Sequence, residues 1–262
     1  MLSHMILSVD YSDGWEQAVK QLPALLIRLQ VRKLTLTYVI ETHRRRHVED
    51  SDEAVERKLK DMARQLAEEW EVETDFELRH GFVASRIVEL ARHHEADGII
   101  CCNTHHSAGR ELFMGNNAMN LARMTRLPLL VLPVDGRPSF TQSPVYLATD
   151  GSDCAERASA LFHKLVEDGT EGRVIWVRPE DAPSEADKVD EMVHTIANRK
   201  VNVHATIPRG RPAQELLHLI QEGQPALTLI GKRGTTPITE IALGHTAETV
   251  VRESHQPVLL MP

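Results

Sequence analysis

The sequence predicts an α/β protein made of two tandem domains, each organised around a parallel sheet. Three observations point there. The chain has 262 residues, and at roughly 150 residues per domain that length suits two cores. The second half repeats the first. Within each copy, short β-rich runs alternate with helical patterns, the signature of βαβ units and so of parallel strands.

The repeat is read from matching anchors. Met5-Ile-Leu-Ser-Val-Asp10 resembles Val145-Tyr-Leu-Ala-Thr-Asp150, and Gly81-Phe-Val-Ala-Ser-Arg-Ile-Val-Glu-Leu90 resembles Gly210-Arg-Pro-Ala-Gln-Glu-Leu-Leu-His-Leu219. Gly115 matches Gly244, and Pro128-Leu-Leu-Val matches Pro257-Val-Leu-Leu. The later anchors lie closer in register than the first pair, so the first copy carries a longer loop, placed in the Glu41 to Asp50 stretch.

In the second copy the apolar run Val145 to Thr149 is a strand that ends at Asp150, and Ser152 and Asp153 then supply the capping chemistry for a helix near Asp153 to Glu167. A strand over Arg173 to Val177 precedes a helix near Ser184 to Arg199. Val201 to Ile207 forms the next strand, followed by a helix over Ala213 to Gln221. Ala226 to Ile230, a helix over Thr246 to Glu253 and a final strand over Pro257 to Met261 complete the copy. The Gly, Pro and Ser content of Asp135 to Pro144 marks a linker. The domains are therefore expected at residues 1–137 and 144–262.

Composition narrows the function. The formal charge of −8 is acidic in both halves, which argues against a nucleic-acid partner, because phosphate-backbone affinity needs basic patches. The longest apolar stretches fall far short of the ~20 residues that span a bilayer, and no signal segment opens the chain. Three cysteines, Cys101, Cys102 and Cys154, make no disulfide framework. A soluble, cytoplasmic protein with no membrane insertion is expected.

Open parallel sheets bind ligands beyond the carboxyl ends of their strands, where the strand order reverses. In the second copy those ends carry Asp150-Gly151-Ser152 and Gly231-Lys232-Arg233-Gly234, followed by Gly244-His245-Thr246 at a helix start. Glycines let backbone approach a ligand, successive N–H groups cradle an anion, and the helix N-terminus adds about half a positive charge. Lys232 and Arg233 could add phosphate-stabilising charge. A phosphate chain fits this mouth.

The spacing Gly231-x2-Gly234-x9-Gly244, with Asp150 closing the first strand, the Gly210-Arg-Pro-Ala-Gln-Glu-Leu-Leu segment and the final Gln256-Pro-Val-Leu-Leu strand, resembles the universal stress protein family over essentially the whole chain. The resemblance implies two five-stranded α/β sandwiches with strand order 3-2-1-4-5, an adenine-nucleotide alpha-hydrolase-like fold. It implies ATP or a related adenine nucleotide, with or without Mg2+, in the second domain. Asp150 would meet adenine or ribose, Ala148 and Val177 the base, and Ile230-Gly231 the sugar, with Gly151 in the adjoining turn. Arg233, Gly234, Gly244, His245, Thr246 and Ala247 would surround the phosphates. His245 stands where the family carries a hydroxyl residue, with Thr246 one position later.

The first domain keeps Asp10 but replaces the first two motif glycines by Cys102 and His105 and the final hydroxyl residue by Asn116. Side chains then stand where bare backbone should meet phosphate, so ATP is not expected there. Zn2+ on Cys102 and His105 is the alternative ligand; two core cysteines and solvated loop histidines are the simpler reading.

The function expected by resemblance is a stress-response regulator whose nucleotide occupancy alters its shape or its protein partners. Two alternatives stay open: an interaction scaffold that binds no nucleotide, and weak enzymology. Neither a Gly-x4-Gly-Lys-Ser/Thr loop nor a Gly-x-Ser-x-Gly elbow occurs, so slow ATP hydrolysis is the most that is expected. The linked domains should pair as an internal pseudo-dimer, with a further homodimer left open.

Overall fold

The computed structural model describes residues 2–12, 14–41, 51–103, 117–136, 143–180, 186–235 and 242–262. The first half runs β1 (His4–Val9), α1 (Trp15–Val19), α2 (Leu22–Leu29), β2 (Lys33–Ile40), α3 (Asp52–Trp70), β3 (Glu73–His80), α4 (Val83–His93), β4 (Gly98–Asn103), α5 (Asn117–Met124) and β5 (Leu129–Pro133). The second half runs β6 (Val145–Ala148), α6 (Asp153–Leu165), β7 (Gly172–Ile175), α7 (Ala186–Ala197), β8 (Val203–Thr206), α8 (Pro212–Gly223), β9 (Leu227–Gly231), α9 (His245–Glu253) and β10 (Val258–Met261).

All the strands join one ten-stranded sheet in the order β3-β2-β1-β4-β5-β10-β9-β6-β7-β8. Read within each half, this is the expected order 3-2-1-4-5. Pairing is parallel inside each half. At the junction β10 runs antiparallel to β5, with Leu259 opposite Leu130. Those two leucines are repeat equivalents, so a pseudo-twofold axis passes between them.

Strand alternation sends successive side chains to opposite faces. Leu7, Leu147, Leu229 and Leu259 enter one apolar layer, under α2, α3, α6 and α7. Ile6, Ala148, Ile230 and Leu260 enter the other, under α4, α5, α8 and α9. Each layer extends across both halves.

Local chemistry explains where elements start and stop. Ser152 caps α6 by accepting from the Ala155 N–H, as its residue type suggests. Pro212 occupies the first turn of α8, where its missing N–H costs nothing, so that helix begins one residue before the expected Ala213. The strand expected from Val201 begins at Val203 instead, because Val201 is fully exposed in a turn. In the expected long loop, β2 ends at Ile40 and α3 begins at Asp52 behind its cap Ser51; residues 42–50 lie outside the described residues. Among the described residues no helix is long and apolar enough to cross a membrane.

Candidate functional site

Strands β6 and β9 neighbour each other where the order of the second half reverses, and a cleft of about 600 Å³ opens beyond their carboxyl ends. Ala148, Ile175, Val177, Leu216 and Ile230 give it an apolar lining. Gly231, Arg233, Gly234, Gly244, His245, Thr246 and Ala247 line it as well. Asp150 is also among the lining residues.

Asp150 ties two loops together. Its Oδ1 accepts from the Ser152 N–H at 3.1 Å, and its Oδ2 accepts from the Thr235 N–H at 3.1 Å. Glycine at 234 suits this geometry, since a Cβ there would run into Asp150 Oδ2 unless that carboxylate moved. Gly231 is equally confined, its Cβ position falling 2.9 Å from Cys154 Cβ. Ser152 links the same loops again by donating its hydroxyl to the Arg233 carbonyl at 3.1 Å.

The first turn of α9 forms the far wall. Gly244 precedes it, donating its N–H to the Lys232 carbonyl at 2.9 Å, and no side chain caps the helix. The N–H groups of the first turn have no partner inside the helix, and they carry the positive end of its dipole. His245 is exposed at the rim.

Every nucleotide-site residue expected in the second half lines this cleft except Gly151. Gly151 adopts a left-handed φ of +80° and faces α7, with Met192 and Val189 3.8 Å from its Cβ position. Lys232 also departs from expectation. Its side chain leaves the cleft and is buried at 5% exposure, where Nζ donates at 2.9 Å to each of the Arg123 and Thr125 carbonyls of the first half. Burial, reinforced by Arg233, lowers its pKa to about 8. It is a tie between the halves, and Arg233 is the cation that reaches the cleft.

Several lining residues were not expected. Trp176 borders the cleft, although it packs on the apolar layer opposite to that of Ile175 and Val177. Pro212 and Leu216 are four residues apart on α8, a spacing that places them on one helix face. Glu248 follows Gly244 at the same spacing.

The mouth of the first half is built differently. Asp10 repeats the turn of Asp150, accepting from the Ser12 N–H at 2.8 Å. Tyr11 replaces Gly151 and keeps a left-handed φ of 52°. Its ring lies 4.9 Å from that of Tyr38, with Lys58 Nζ 4.1 Å from its centre, and burial pushes its phenol up to about 12.

Cys101 is buried in β4 and Cys102 is half-buried. Burial, with the Asp10 carboxylate nearby, pushes both thiols up. His105, Gly115 and Asn116 lie outside the described residues. Among the described residues no group of three or more His, Cys, Asp or Glu side chains is placed to hold a metal ion.

The model of the universal stress protein family matches residues 1–133 and 165–262. The chain belongs to the universal stress protein family. It is 33% identical over 61 residues to a universal stress protein of Methanocaldococcus jannaschii, covering 23% of this chain and 36% of that protein. The match thus spans about a third of that curated relative. Among solved structures, a universal stress protein from Archaeoglobus fulgidus superposes with a TM-score of 0.77 at 20% identity, covering 98% of this chain and 95% of that one. A protein of unknown function from Pseudomonas aeruginosa superposes at 0.70 with 14% identity, covering 99% and 92%. These likenesses show the fold.

Proposed function

We propose that the second-half cleft binds ATP or a related adenine nucleotide, and that the protein is a regulator whose occupancy is the signal. The close approach of Gly234 to Asp150 carries this reading. It keeps one point of the loop free of a side chain beside apolar lining residues and an uncapped helix start, which suits a flat base at one end and a phosphate chain at the other. Ala148, Val177 and Ile230 would hold the base, Asp150 the base or ribose, and Arg233 with the first turn of α9 the phosphates. His245, exposed at the start of α9, would supply its backbone N–H.

A resident Mg2+ does not suit the carboxylates. Asp150 already accepts two amide N–H groups, and Glu248 is paired with Arg123 at 3.1 Å and Arg252 at 2.7 Å. Magnesium would enter with the nucleotide as its counter-ion.

Calorimetric titration of the intact chain with ATP tests the proposal, alongside Gly234→Val. One-site binding should weaken by about tenfold or more in the variant, with the thermal midpoint confirming that it still folds. No titratable heat with the wild type, and no nucleotide carried through gentle purification, would sink the nucleotide reading and favour the scaffold.

A further inference from the structure

Glu248 is an unexpected neighbour for a phosphate chain. It belongs to the first turn of α9, where a carboxylate is favoured by the dipole, yet it lines the cleft and would compete with an anionic ligand for the same helix end. Two arginines answer it. Arg252, one turn along the helix, reaches Glu248 Oε1 at 2.7 Å, and Arg123, from α5 of the other half, reaches the same oxygen at 3.1 Å.

The position of Arg123 is fixed by the junction. Lys232 Nζ holds the Arg123 and Thr125 carbonyls at the end of α5, and Lys232 stands between two cleft residues, Gly231 and Arg233. Asn103, the repeat equivalent of Lys232, makes the reciprocal contact, donating from Nδ2 to the Val251 carbonyl of α9 at 3.0 Å. The helices α5 and α9 are thus each gripped by the opposite half, and the loop that shapes the cleft also aims Arg123 at Glu248.

We propose that Arg123 is a specificity-determining residue of the second-half cleft, contributed by the first half, which neutralises Glu248 and so admits a polyanionic phosphate chain. This rests on the nucleotide reading above. It gives the first half a part in nucleotide recognition although its own glycine motif is degenerate.

The test is ATP calorimetry on the intact chain for wild type, Arg123→Ala, Arg123→Lys, Glu248→Gln and the Arg123→Ala/Glu248→Gln pair. Arg123→Ala should weaken ATP binding by about fivefold or more, the lower range of site-to-site couplings, while Arg123→Lys retains most of the affinity. Removing the carboxylate in the double variant should return the affinity to the wild-type value. A purely structural role for Arg123 would not be rescued in this way, because Glu248→Gln restores no packing. Unchanged affinity in Arg123→Ala, or a loss that Glu248→Gln does not recover, would overturn the proposal and leave the nucleotide reading standing. Absence of ATP binding by the wild type would overturn both.

Discussion

Lys232 sits in a motif segment that resembles a phosphate loop, yet its ammonium serves a helix end in the other half. The contact does not require charge. A neutral amine keeps two N–H donors, enough for the two carbonyls it meets, whereas the ammonium carries a third donor and a desolvation cost at 5% exposure. That cost lowers the folded-state pKa to about 8, against about 10.4 for an unfolded lysine. Between those values the unfolded chain holds a proton that the folded chain has released, so stability rises with pH across this window. Below it both states are protonated and the penalty is fully present. Urea unfolding of wild type and Lys232→Met from pH 7.5 to 10 should therefore show the wild type gaining on the variant as pH climbs through about 8. A flat difference would mean that the carbonyls satisfy the ammonium in full.

At the scale of elements, α6 and α9 start beside the same cleft with opposite chemistry. Ser152 caps α6 and also holds the Arg233 carbonyl, while Gly244 leaves α9 without a side-chain cap. Ser152→Ala should lower stability by about 1 kcal/mol, as for other lost caps, measured by the urea midpoint. A cost well below that would show that water replaces the hydroxyl at both of its partners. Such caps are readable from sequence, as were the strand order implied by family resemblance and the glycines that gather at the cleft. Features set by distant contacts were not. The pattern gives no sign that Lys232 turns toward Thr125, more than a hundred residues away, that Gly151 faces α7, or that Arg123 reaches Glu248. Trp176 escaped because alternation assigns it to the layer opposite Val177, where it does pack, and gives no sign that it also borders the cleft.

At the scale of the molecule, the repeat is closed on itself by its last strands. Leu129, Leu130, Leu259 and Leu260 are all essentially buried at the antiparallel junction, and both apolar layers run through it. Opening the junction would expose two strand edges together with their hydrophobic faces, a state that invites pairing with other chains. Lys232 and Asn103 tie the helices on either side across the same boundary. The two halves should therefore unfold as one cooperative unit. Hydrogen exchange read by segment across a urea gradient checks this in the unmodified protein, because amides of β1 and β6 report on separate halves. Coincident midpoints for the two strands, with β5 and β10 losing protection at the same urea concentration, are expected of a single transition. A first half that exchanges at lower urea while β6 and β9 stay protected would mean that the junction is weaker than either core, and that the cleft's wall at α9 can persist without Arg123 beside it.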